Sequence, residues 1–337
     1  TVWHLIPDAV TADMQVAYDP LFPTTINDNL IAGPQTTEGF GTQMFFVTNS
    51  ADSTAGSFRA GSVSGVQWQA AQRGSVSTAA GFNNTVLGIC AATMGGSTNT
   101  NSTLRGFIGG GSNNANTSGQ SSSICGGGGA TVPEGNTVTG NHSMVGGGRR
   151  ASLSLAGSAI CGGSTVGIVG NRISGSAGQD NAIGAGYANR IITGNHSNCM
   201  IGAGHDNLIN GAPTGSRIVA GALNSIVGGN ISSIGAGSNN LIIGSNSVIG
   251  AGNTNSIPAA TGPCFIAAGN NNAARGTSVI LGGTSNNTTQ GTNSLLFGRN
   301  NTSTTALCGI ALGQGAIATF TGFVFADGTT TNDEAGN

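Results

Sequence analysis

Apolar residues recur along this chain in short alternating clusters rather than in long runs. From Ser77 onward a five-residue pattern, S-x-[apolar]-x-G, returns with its third position at Ala79, Met94, Ile108, Ile124, Val145, Ile160, Ile183, Ile201, Ile218, Ile234, Ile249, Ile266, Ile280, Leu296 and Ala311. Most copies lie 14 to 18 residues apart, and wider gaps of 21 residues before Val145 and 23 before Ile183 predict surface loops. A second pattern, N-x-[apolar]-x-G, falls between copies, as in NTVLG from Asn84, NRISG from Asn171, NLING from Asn207, NSIVG from Asn224 and NLIIG from Asn240. Alternation of period two, punctuated by Gly and Asn, predicts two short strands per unit.

A unit of about sixteen residues is too small to close its own core. Stacking copies ~4.8 Å apart would pair every strand with its equivalents above and below, giving a solenoid. In the stretch SVILGGTSNNTTQGTNSLLFGRNNTST, Ser278, Ile280 and Gly282 return as Ser294, Leu296 and Gly298, which predicts two adjacent coils. The glycines are expected at the bends and the Asn/Thr runs at surface turns, where Asn can also stack as a ladder. The fold class expected is all-β, a parallel solenoid of about fifteen short coils. So thin a column leaves apolar residues on an outer sheet face, which a closed homotrimer would bury.

Composition supports an ordered repeat over a disordered chain. Gly accounts for 60 of 337 residues and charged residues for only 7%, yet hydrophobic residues reach 37% at fixed offsets from Gly. There is no Lys. Residues 77 to 326 hold eight Arg against Glu134, Asp180 and Asp206, too dilute for a nucleic-acid face. No apolar run reaches 18 residues, so no membrane insertion is expected, and residues 1 to 20 lack the features of a signal peptide.

The alternation of S-x-[AIV]-x-G with N-x-x-x-G resembles the head repeats of trimeric autotransporter adhesins, from Ser77 to about Gly313. GSFRAGSVSGVQWQAAQRG, residues 56 to 74, is similar to the segment preceding such repeats in fibre-like surface proteins of bacteria and large DNA viruses. FTGFVFADGTTTNDEAGN, residues 320 to 337, is similar to the segment that follows them. The resemblance implies a left-handed parallel β-roll with three intertwined chains to a head. The sequence departs from those adhesins in lacking a recognisable neck, coiled-coil stalk and membrane anchor, which favours a fibre attached in another way.

Four segments are expected: an extended lead-in or linker over 1–56, a cap segment over 57–76, the repeats over 77–319 and an exit segment over 320–337. Pro20, Pro23 and Pro34 suit the lead-in. Phe40, Phe45, Phe46, Val47, Phe58 and Trp68 are the expected core of a small N-terminal cap that covers the first coil's open edge.

The residues offer little to catalysis. A glycosidase-like solenoid needs paired carboxylates, and the repeats hold only three acids. GAGHDNLI approaches a calcium-binding repeat, but GAGSNNLI and GAGNTNSI carry Asn where the repeated carboxylate is needed. His4, His142, His196 and His205 lie far apart and support no zinc cluster. No metal or other cofactor is expected. The six cysteines, without a CxxC pair, read as small buried residues. Thr positions look too irregular for an ice-binding face.

The expected function is a non-enzymatic structural fibre or adhesin head, extracellular and exposed on a virion or cell surface, attaching multivalently to a host receptor or glycan. Glu134 and His142 in one long gap, and Arg172 and Asp180 in the other, are the candidate binding-loop residues. The alternatives are a self-assembling filament subunit and, less favoured, a polysaccharide-acting β-helix enzyme.

Overall fold

The computed structural model describes residues 30–32, 41–47, 53–131, 134–163, 169–192, 194–195, 197–211, 213–259, 262–289, 293–304, 308–319 and 321–328. His4, Phe40, His196, most of the lead-in and the last nine residues of the exit segment lie outside the described residues. The architecture is an all-β parallel solenoid of about fifteen turns, with almost no helix. The chain divides into two compact units, Thr1–Leu153 and Ser154–Asn337.

Each turn is built from the two sequence patterns, giving a leading strand with Ser and a trailing strand with Asn. In the second unit, leading strand Ser233–Ile234 pairs in parallel with Val248–Ile249, and trailing strand Leu241–Ile242 with Ser256–Ile257. The first unit repeats the scheme, with Phe107–Ile108 on Ser123–Ile124 and Thr100–Asn101 on Ala115–Asn116. The wide gaps do not break register. Ile124 still stacks on Val145, and Ile160 on Ile183.

Four inward side chains fill a typical turn: Ser232, Ile234, Asn240 and Ile242, all buried. Ile108, Ile124 and Val145 in the first unit are fully buried, as are Ile160, Ile183, Ile201, Ile218, Ile234, Ile249, Ile266, Ile280 and Leu296 in the second. Met94 is different. It is more than half exposed, and Thr93 stacks between Ala79 and Ile108 instead. Tandem glycines Gly95 and Gly96 blur the sequence pattern, whereas left-handed Cys90 sets the corner so that Ala91 and Thr93 face inward. The stretch from Ser278 holds a similar slip: Ile280 stacks on Leu296, but a register shift pairs Gly283, not Gly282, with Gly298.

Both corners of a typical turn follow one rule: a left-handed residue comes immediately before an inward residue that is usually polar, with exceptions that include Ala91 after Cys90 and Ala151 after Arg150. Asn239 (φ 55) precedes Asn240, and Asn246 (φ 54) precedes Ser247. Even Leu223 and Ile231 adopt this conformation, which is uncommon for such side chains and persists only when the surroundings over-determine it. The repeated Asn is therefore not the turn residue expected from sequence. It sits inside.

What over-determines the corner is a ladder of buried amides. In the second unit it runs through Asn171, Asn189, Asn207, Asn224, Asn240, Asn255, Asn272, Asn286 and Asn301, and ends on the Ala316 N–H at 2.9 Å. Asn240 shows the unit. Its Nδ2 donates to Asn224 Oδ1 (2.9 Å), Ala236 O (3.3 Å) and Gly252 O (2.9 Å), while its Oδ1 accepts from Asn255 N (3.0 Å) and Nδ2 (3.1 Å). In the first unit Asn84, Asn99, Asn114 and Asn136 form the same ladder, ending on Ala151 N at 3.0 Å. The carbonyls that receive these amides sit where backbones touch. A Cβ on Gly252 (φ +112) would fall inside the Gly269 carbonyl oxygen, so this place demands Gly.

The opposite corner carries a serine ladder with two thiols in it. Ser232 Oγ accepts from Ser247 N (3.3 Å) and donates to Gly244 O (2.9 Å). Cys264 takes the same place, its thiol donating to Gly276 O at 2.9 Å, and Cys199 donates to Pro213 O at 3.3 Å.

Ahead of the first turn, strands Gly41–Phe46 and Phe58–Val63 pair antiparallel, and Phe58–Val63 then pairs in parallel with Thr78–Phe82. Phe45, Val47, Val63 and Trp68 pack together, whereas Phe46 turns outward. Trp68 Nε1 donates to Asn84 O at 3.0 Å. Arg59, in register with Ala79, is fully buried and reaches Ser77 O (3.0 Å) and Val86 O (3.2 Å); burial pulls its pKa down to about 10.

Replacing Asn240 with Ala strands buried carbonyls and an N–H, each costing ~1–3 kcal/mol when unpaired. The expected loss is about 3 kcal/mol or more in urea unfolding, whereas Asn253→Ala, at an exposed site, should change stability by less than about 0.5 kcal/mol.

Candidate functional site

The inward positions are filled by packed side chains, so the outer faces and loops are what the chain presents to other molecules. The two faces differ in chemistry. Along the leading face of the second unit, Val248, Phe265, Val279, Leu295, Ile310 and Phe323 stack outward in one unbroken column. Phe297, Leu312 and Phe325 form a second column beside it. Five strand spacings make this apolar strip about 24 Å long. Phe297, Phe323 and Phe325 are each more than half exposed. In the first unit the leading face presents Phe107, Met144 and Met94 to solvent.

The trailing faces are more polar. In the first unit Thr85, Thr100, Ala115, Thr137 and Ser152 stack in one outward column, a regularity hidden by uneven spacing in the sequence. Ala115 interrupts the hydroxyls. In the second unit the equivalent column reads Arg172, Arg190, Leu208, Ser225, Leu241, Ser256, so no extended threonine array forms there.

The four candidate loop residues take separate places. Glu134 precedes trailing strand Thr137–Val138 and pairs with Arg149 and Arg150, the latter at 3.3 Å. His142 follows that strand, exposed, in the left-handed corner position, its N–H donating to Gln120 O at 2.8 Å. In the second unit Arg172 projects from the trailing strand Arg172–Ser174, with Nε donating to Ser174 Oγ at 2.9 Å. Asp180 occupies a left-handed corner, exposed. No ion pair joins Arg172 to Asp180 among the described residues.

The structure adds a partner for Arg172 that sequence reasoning missed. Arg190 stands in register with it on the next strand. The repeated NRI, at Asn171 and again at Asn189, is the signal that could have found it.

The cysteines also divide. Cys199 and Cys264 are buried in the serine ladder, and burial pushes both thiols up from their ordinary pKa. Cys90, Cys125, Cys161 and Cys308 are exposed, contrary to the expectation that all six are core. Cys125 and Cys161 directly follow inward Ile124 and Ile160, and strand alternation turns them outward. All six are free thiols, and no group of three metal-ligating side chains occurs among the described residues.

Compared with known proteins, the chain matches no family model, no curated protein and no solved structure.

The hydrogen bond from Arg149 holds the Glu134 carboxyl below the usual carboxylate range, helped by the charges of Arg149 and Arg150 and opposed by desolvation. A depressed folded pKa gives stability that is present above the unfolded value of ~4.3 and is lost as pH falls through the folded value. Melting temperature against pH should show wild type above Glu134→Gln at pH 6, with the difference shrinking toward pH 3.

Proposed function

We propose that this chain is a non-enzymatic surface fibre or adhesin head that assembles as a homotrimer and displays its corner loops and trailing faces for multivalent attachment. The observation that carries this reading is the apolar strip on the leading face of the second unit. Monomeric proteins rarely leave so continuous an apolar face in water, and a parallel column of fixed spacing can match the same face on other copies along its length. Three copies around a common axis would bury that face and leave the more polar one outside. The resemblance of the alternating Ser and Asn repeats to adhesin heads, which have three chains to a head, supports it.

Residues 41 to 76 fit the role of a cap. Arg59 spans from the leading to the trailing side of the first turn, and Trp68 takes one of its carbonyls. Two of the three acids of the repeats are engaged, Glu134 by two arginines and Asp206 by His205, which supports a non-enzymatic reading. An extracellular site, on a virion or cell surface, follows from the display role.

Sedimentation equilibrium should give three times the chain mass of 32.8 kDa. Phe297→Asp with Phe323→Asp should release monomers that keep the β-rich circular dichroism spectrum. Iodoacetamide should reach Cys90, at a corner, in the trimer while Cys161 reacts only after dissociation. A wild-type monomer would overturn the assembly.

A further inference from the structure

The trailing face of the second unit carries one concentrated charge. Arg172 and Arg190 project from adjacent strands in register, ~4.8 Å apart, where later turns carry Leu208, Ser225, Leu241 and Ser256. Like charges directly opposite across a strand pair are destabilising. No acid pairs with either arginine among the described residues. Arg172 is braced by Ser174, and Arg190 has its Nε buried without a hydrogen-bond partner. The register sets two arginines on adjacent strands, and an anion would reconcile their charges.

A second feature lies on the same turn as Arg190. Tyr187, three residues before Arg190 on the same turn, stacks on His205 of the next turn, with ring centroids 5.0 Å apart and planes 4° from parallel. His205 Nδ1 lies 3.1 Å from Asp206 Oδ2, and all three side chains are substantially exposed. The next residue in this corner column is Ala222, which leaves room beside the rings.

We propose that Arg172 and Arg190, with the Tyr187–His205 stack, form a subsite for a carboxylated sugar residue of an acidic polysaccharide. The carboxylate lies across the paired guanidinium groups, whose planar donors match its two oxygens. The sugar ring packs against the aromatic pair, and Asp206 accepts from its hydroxyls. The surrounding face has too little positive charge to hold a nucleic acid, so the site reads one acidic unit rather than a polyanion's field. This deepens the display reading by naming what is bound.

The test is titration calorimetry on the full chain with trigalacturonate, a heparin-derived sulphated disaccharide and neutral dextran oligosaccharide. Trigalacturonate should bind once per chain and raise the melting temperature, while dextran does neither. Arg172→Ser with Arg190→Leu installs residues that other turns carry in this column; it should weaken trigalacturonate at least tenfold yet melt no lower than wild type without ligand. Tyr187→Ala should weaken it several-fold. Absence of trigalacturonate binding, or undiminished binding to the double variant, would overturn the subsite. Equal binding of the sulphated disaccharide, indifferent to Tyr187→Ala, would overturn it in favour of plain charge attraction. Because binding is counted per chain, a monomer that binds defeats only the trimer reading, and a trimer that does not bind defeats only the subsite.

Discussion

A buried asparagine amide is tolerable only when its donors and acceptors are all answered, and in this solenoid the answers come from neighbouring turns. Asn240 shows how strict the condition is, since one side chain ties together its own turn, the Asn224 turn before it and the Asn255 turn after it. Displacing any partner by an ångström would leave polar groups dry and unpaired. The left-handed corners, the glycines under the amides and the constant strand spacing all serve that condition. Isoleucine columns supply the burial, but the amides fix the register.

A core of four inward residues per turn forces the rest of the chemistry outward. With so little interior, the chain cannot hide a large apolar surface within one copy, and the leading face of the second unit shows the remainder as Val248 to Phe325. The trailing face is thereby free to vary. Threonines, leucines, serines and arginines exchange at its outward positions with no consequence for the inward ones, which is how recognition can be changed without touching the fold.

Much of this was legible in the sequence, and the lapses have specific causes. The stacking of Ile108 on Ile124, or of Ile280 on Leu296, follows from period-two alternation and spacing alone. The pattern points to Met94 where Thr93 faces inward, because two consecutive glycines satisfy it in either frame and only the left-handed corner at Cys90 decides between them. The exposed Cys125 and Cys161 occupy the position after the inward Ile, so the alternation that identified the core also placed them outside it. An outer apolar face was expected, but the residues that compose it, like the Arg172–Arg190 pair, were hidden for a different reason. Both consist of residues at the pattern's free positions, brought together only when register is known.

The amide ladder also has a direction. In each pair the earlier residue offers its Oδ1 and the later one offers its backbone N–H, from Asn171 through to Ala316. A ribosome delivers the earlier partner first. Every completed turn therefore presents an unmet acceptor at its upper rim, positioned to receive the next segment as it emerges, so that the column is a template read in the same sense as its own synthesis.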